Sequence, residues 1–138
     1  MNRKSVPFCL TVSLLAAVRL VSAQEQSWAG EYVDKKFLGE KAVFEMTIEQ
    51  FGNAIQVSFD AAYSNGHGAA PEGHGPAKMR AKDTLEFTFE DSFNNSETGT
   101  ITRAGDDIIV SMRMTRVADP GCLVFYGKNI PLKRIGKK

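Results

Sequence analysis

The chain has 138 residues, with 17 Lys and Arg, 16 Asp and Glu, two His and a net charge of +1. That balance offers no broad cationic surface, so nucleic-acid binding, which rests on Lys and Arg neutralising phosphates, is not expected. The one basic cluster along the sequence is the tail Lys133, Arg134, Lys137 and Lys138, which a solvated chain end explains.

The N-terminus reads MNRKSVPFCLTVSLLAAVRLVSAQ, with basic Arg3 and Lys4, an apolar run from Val6 to Val18, and small residues at Val21-Ser22-Ala23. This is the pattern of a secretory signal peptide over residues 1–23, with cleavage before Gln24. A membrane anchor needs about 20 apolar residues, and Arg19 interrupts the run too early. Without Arg3, Lys4 and Arg19 the basic residues number 14 against 16 acidic ones, a net charge near −2. The expected location is therefore extracytoplasmic, periplasmic or secreted, with no membrane span after cleavage. Residues 24–138 are expected to form a single domain, long enough to bury a core without staples. Of the two cysteines only Cys122 remains in that domain, which excludes an internal disulfide. Cys122 is a buried small residue, a free thiol or a partner in an intermolecular bond, and burial at a strand start is favoured by the apolar Leu123-Val124-Phe125 that follows.

Along the rest of the chain the apolar period is two. Trp28 to Val33 is a short first run; Phe44, Met46 and Ile48 then alternate with Glu45 and Thr47, and Ile55, Val57 and Phe59 alternate with Gln56, Ser58 and Asp60. Lys78 to Ala81 is another short run. Leu85, Phe87 and Phe89 alternate with Glu86, Thr88 and Glu90. Gly99 to Arg103 follows, then Ile108, Val110, Met112 and Met114 against Ser111, Arg113 and Thr115. Cys122 to Tyr126 closes the series, with continuation through Ile130 and Leu132. These runs read as strands with one dry and one wet face, separated by turn chemistry such as Asn94-Asn95, Ala104-Gly105-Asp106 and Asp119-Pro120-Gly121. No window after residue 24 holds helical spacing for three turns. A sandwich would satisfy the pattern, but a meander of hairpins closes naturally and closure removes exposed edges. The expected fold is all-β, a single small antiparallel up-and-down β-barrel of about eight strands. Its inward candidates, Phe44, Met46, Phe59, Phe87, Phe89, Met112, Met114 and Phe125, are large enough to fill such a barrel.

No catalytic constellation emerges. The sequence has no phosphate loop, no H-E-x-x-H, no zinc-spaced Cys/His set and no G-x-S-x-G elbow. Glu90-Asp91 and Asp106-Asp107 read as solvated charge, because adjacent strand residues point to opposite faces and a turn is exposed. Both histidines, His67 and His74, lie in NGHGAAPEGHGP, which reads as one long exposed connection over residues 64–77. A metal there would need further ligands such as Glu72 or Asp60, and the spacing matches no common site, so neither metal nor cofactor is expected. Long loops in compact domains are often functional, which makes Tyr63, Asn65, His67 and His74 the candidate partner-binding residues. Trp28, the one tryptophan, is expected to plug a barrel end.

The early W-A-G-E-Y, the S-N-G-H loop, the G-T-I-T-R hairpin and the end P-G-C-L-V-F-Y-G-K-N-I-P-L-K-R resemble small exported bacterial β-barrel proteins, inhibitors of c-type lysozyme and lipocalin-like modules among them. The resemblance implies the barrel fold and export. It lacks the Ser-Gly-x-x-Tyr loop and disulfide of the inhibitors, so no inhibitory residue carries over. It also lacks the Gly of the lipocalin G-x-W, since Ser27 precedes Trp28. The expected function is that of an exported, non-catalytic, monomeric binding protein that recognises a protein or cell-envelope component through barrel-end loops. The alternative is a lipocalin-like carrier of a small apolar ligand. A third class is an enzyme assembled from rim residues Tyr63, His67, His74 and Arg113.

Overall fold

The structure is a computed structural model that describes residues 26–136; the expected signal peptide lies outside the described residues. The two-residue period becomes eight strands: β1 (Gly30–Lys36), β2 (Ala42–Phe51), β3 (Ala54–Tyr63), β4 (Glu72–Ala81), β5 (Thr84–Asp91), β6 (Ser96–Ala104), β7 (Asp107–Arg116) and β8 (Ile130–Gly136). Each strand pairs with its neighbours in sequence order, and β1 pairs back to β8 to close an all-antiparallel up-and-down barrel. Closure runs through Tyr32 opposite Arg134 and Val33 opposite Lys133. Among the described residues no strand keeps a free edge, which removes the template for strand addition.

The interior is a packed aromatic core. Phe44 stacks on Phe59 with ring centroids 5.7 Å apart, Phe59 meets Phe89 at 4.5 Å, and Phe89 stacks on Phe87 at 5.5 Å. Met46, Ile48, Leu85, Ile101, Val110 and Leu132 fill the layers around them. Every expected inward side chain is buried except Met114, which packs half-buried against the core.

The tight-turn end of the barrel carries the hairpins after β2, β4 and β6. Trp28 crosses it and is 2% exposed, so the expected plug is found. Its backbone N–H donates to Gln50 Oε1 at 2.9 Å, its carbonyl accepts from the Tyr32 hydroxyl at 3.0 Å, and the Arg103 guanidinium lies 3.8 Å over the indole.

Two local expectations are corrected. Residues 72–77 are not loop: β4 starts at Glu72, and the connection shortens to residues 64–71. The inward positions of this half-strand are Gly73 and Gly75, which supply no apolar side chain and so no alternation. The glycines are required by neighbours. A Cβ at Gly73 would lie 2.6 Å from the Phe59 ring and 2.8 Å from the Phe89 ring, and one at Gly75 would lie 1.9 Å from the Thr88 carbonyl oxygen. Second, Cys122 to Phe125 is not a strand but part of a 3-10 helix, Pro120–Phe125. Asp119 caps it by accepting from the Gly121 N–H at 2.8 Å, and Pro120 sets the first helical φ. Cys122 is buried as expected.

Gly75→Ala is expected to lower the unfolding free energy by about 3 kcal/mol in urea denaturation, at the upper end of overpacking costs. A change within about 0.5 kcal/mol, the norm for unconstrained surface sites, would contradict the close approach.

Candidate functional site

Four connections meet at the other end of the barrel: the turn Phe37–Glu40, residues 64–71, residues 92–95, and the segment 117–129 that contains the 3-10 helix. We call this the cap end. The Phe37–Glu40 turn holds Leu38, Gly39 and Glu40 all at positive φ, which for non-glycine residues costs roughly 1–2 kcal/mol each. Phe37 compensates by inserting under the cap, 5.5 Å from the Phe44 ring and 6.4 Å from that of Phe125.

The cap is fastened by buried polar groups that the alternation carries inward. Asp91 follows Phe87 and Phe89 on the dry face of β5 and is 5% exposed, so reading Glu90-Asp91 as solvated charge fails for Asp91. One of its oxygens accepts from the N–H groups of Phe93 at 2.8 Å and Asn95 at 2.9 Å; the other accepts from Asn95 Nδ2 at 2.8 Å and the Tyr126 hydroxyl at 2.7 Å. Asn95 then turns its own Oδ1 to the N–H groups of Ala118 and Asp119, both at 2.8 Å. One carboxylate and one amide thus tie the β5–β6 turn to both flanks of the 3-10 helix.

Electrostatics follow from this burial. Desolvation pushes Asp91 up, but the bonds from Tyr126, Asn95 and Phe93 outweigh it and hold the carboxyl below its usual range. Glu97, inward on β6, is 2% exposed and neither of its oxygens finds a hydrogen-bond partner. Desolvation raises its pKa to about 8; the neighbouring Tyr126 hydroxyl offsets part of this and Asp91 adds to it. Desolvation, with Asp91 and Asp119 nearby, lifts the Cys122 thiol to about 11, so at neutral pH it is an inert buried group rather than a nucleophile.

Outside, the cap presents apolar side chains to solvent: Val117 is 51% exposed, Leu123 47% and Val124 43%. The sequence-derived candidates divide between two places. Tyr63 ends β3 half-buried, with its ring 5.2 Å from that of Phe125 beneath the cap. Asn65 and His67 are exposed in the shortened loop, where Asn65 Oδ1 accepts from the His67 N–H at 2.9 Å. The loop is tied down by Ser64 N–H donating to Lys41 O at 2.9 Å and Ala61 N–H donating to Pro71 O at 3.1 Å. His74 is elsewhere, outward on β4 between Ser58 and Glu90. There it lines an outer-wall groove of about 490 Å³ with Glu45, Asp60 and Glu72. Partial desolvation in that groove, then Glu45 and Glu72, raises the Asp60 pKa. Among the described residues, no group of three or more His, Cys, Asp or Glu is arranged to hold a metal ion. Arg113 lines a different groove, so Tyr63, His67, His74 and Arg113 are not gathered into one rim site.

Sequence reasoning missed the Asp91, Asn95, Glu97 and Tyr126 cluster. Its signal was present, since Asp91 and Glu97 share the parity of Phe89 and Ile101 on their strands. The closed eight-stranded barrel is consistent with a lipocalin-like fold. No family model and no curated protein matches the chain.

Because Glu97 holds its proton to about pH 8 when folded but only to its ordinary 4.5 when unfolded, its stabilising share is complete below pH 4.5 and is lost as pH rises through 8. Glu97→Gln, which mimics the neutral acid, is expected to gain more than about 2 kcal/mol over wild type between pH 5 and pH 9 in denaturation midpoints. Parallel pH profiles for the two proteins would contradict the assignment.

Proposed function

We propose that the protein is an exported, non-catalytic binding protein that recognises a protein or cell-envelope component through its cap end. The observation that carries this reading is the set of exposed apolar side chains, Val117, Leu123 and Val124, on a segment fastened by the Asp91 and Asn95 bonds. Exposed apolar side chains on a rigid support bind with little ordering cost, and clusters of them on a surface mark interaction sites. Tyr63, Asn65 and His67 belong to the same end, where a polar loop would supply the rim of an interface whose core is apolar. His74 on the wall is not part of this surface.

The packed aromatic interior supports surface recognition over carriage of an apolar ligand, since a carrier needs unfilled space between its strands. Inhibition of a c-type lysozyme is a concrete version of the reading, drawn from the family resemblance. Protein that leaves several lysozymes fully active at large molar excess would remove that version.

A photoreactive amino acid placed at position 123 is expected to give discrete adducts with envelope components, while one at position 52 on the opposite end gives none. Leu123→Lys with Val124→Lys is expected to weaken capture of the adduct partner roughly 10- to 100-fold, given about 1.5–3 kcal/mol for fully burying an aliphatic side chain and about half of each left to bury. Equal labelling from both ends, or a native mass that includes a bound lipid, would contradict the proposal.

A further inference from the structure

The outer wall carries a second groove, of about 380 Å³, on the faces of β5, β6 and β7. The register places Glu86 opposite Thr100, Thr100 opposite Ser111, and Thr98 opposite Arg113, so the floor is a short ladder of hydroxyls. Three cations close around it from three distant parts of the chain: Arg80, Arg113 and Lys128. Arg80 sits at a register shift between Met79 and Ala81, the kind of bulge that re-aims a side chain. Lys128 is placed by the backbone next to it, where Gly127 O accepts from the Met112 N–H at 2.8 Å and the Asn129 N–H donates to Ser111 Oγ at 2.9 Å. That bond uses Ser111 as an acceptor and leaves its hydroxyl proton to donate into the groove. Asn129 is held at φ 55, a conformation that the surrounding contacts must maintain. Among the described residues, the ion pairs join Lys36 to Glu40 and Arg103 to Asp83; none engages Arg80, Arg113 or Lys128. With Glu86 as the one acid lining it, the groove carries a net charge of about +2 in a chain near neutrality.

We propose that this groove is a binding site for a tetrahedral oxyanion carried on a hydroxylated body, that is, a sugar phosphate or a sulfated sugar. Two guanidiniums supply paired donors that match the oxygens of phosphate and sulfate, and Lys128 adds a point charge. The hydroxyls of Thr98, Thr100 and Ser111 face a ligand that itself donates and accepts hydrogen bonds. No aromatic side chain lines the groove, so the stacking that nucleobases and single-stranded nucleic acid use is missing. The site shares Lys128 and Asn129 with the end of the 117–129 segment but uses none of Val117, Leu123 or Val124, and does not depend on the recognition proposed there.

Isothermal titration of the protein at low salt with glucose 6-phosphate, glucose 6-sulfate, glucose and inorganic phosphate tests the assignment. At least one of the anionic sugars is expected to saturate at a Kd of about 1 mM or tighter and to weaken with added salt. Which of the two binds identifies the oxyanion. Arg80→Gln with Arg113→Gln is expected to weaken binding about 10- to 100-fold, and Glu86→Gln to tighten it about threefold. Opposite effects from two surface variants separate loss of a site from loss of the fold. Failure of both anionic sugars to saturate at about 10 mM, or undiminished affinity in the double Arg variant, overturns the site. Inorganic phosphate binding as tightly as the sugars overturns the hydroxylated body.

Discussion

The cap end depends on one buried carboxylate. Asp91 is 5% exposed and accepts four hydrogen bonds, from two backbone N–H groups, the Asn95 amide and the Tyr126 hydroxyl. Such bonds to a charged acceptor in a low-dielectric interior are strong, and removing their partners leaves a buried charge that costs several kcal/mol. Burial keeps the Glu97 proton in place and holds the Cys122 thiol neutral, and the Asp91 charge adds to both. A single negative charge can be satisfied there; a second one, on Glu97, has only the Tyr126 hydroxyl nearby, and that group already donates to Asp91.

This arrangement explains how an irregular segment becomes a surface. Residues 117–129 lack neighbouring strands to pair with along most of their length, yet Asn95 Oδ1 holds them at Ala118 and Asp119 and Tyr126 holds them at Asp91. With the backbone fixed from beneath, Phe125 turns inward onto Phe37 and Tyr63, while Leu123 and Val124 are left facing water. The barrel below contributes a rigid floor, because its glycines at 73 and 75 let β4 and β5 approach without displacing Phe59 and Phe89.

The fold was legible where side chains report the face they occupy. Phe44, Met46 and Ile48, or Leu85, Phe87 and Phe89, announce strands by period alone, and Trp28 announced a plug. The first part of β4 escaped because its inward residues are Gly73 and Gly75, so only Lys78 to Ala81 reads as strand and His74 falls with His67 in the loop. The 3-10 helix escaped because Leu123-Val124-Phe125 has the composition of a strand, and only Asp119-Pro120 marks its start. The buried cluster was half legible: parity places Asp91 and Glu97 inward, but residue type argues for solvent, and the Asn95 and Tyr126 partners that resolve the conflict are brought by tertiary structure. The cationic groove was not legible, since Arg80, Arg113 and Lys128 converge only when the sheet closes.

The central claim is that the Asp91 and Asn95 bonds make the cap a fixed part of the barrel. Hydrogen–deuterium exchange read at the Ala118 and Asp119 amides tests it most directly, because those N–H groups are held by a side chain rather than by a strand. Protection approaching that of the β5 and β6 amides is the expected result, as for groups that open only with the global fold. Exchange at the rate of an exposed loop, with β5 and β6 still protected, would contradict it.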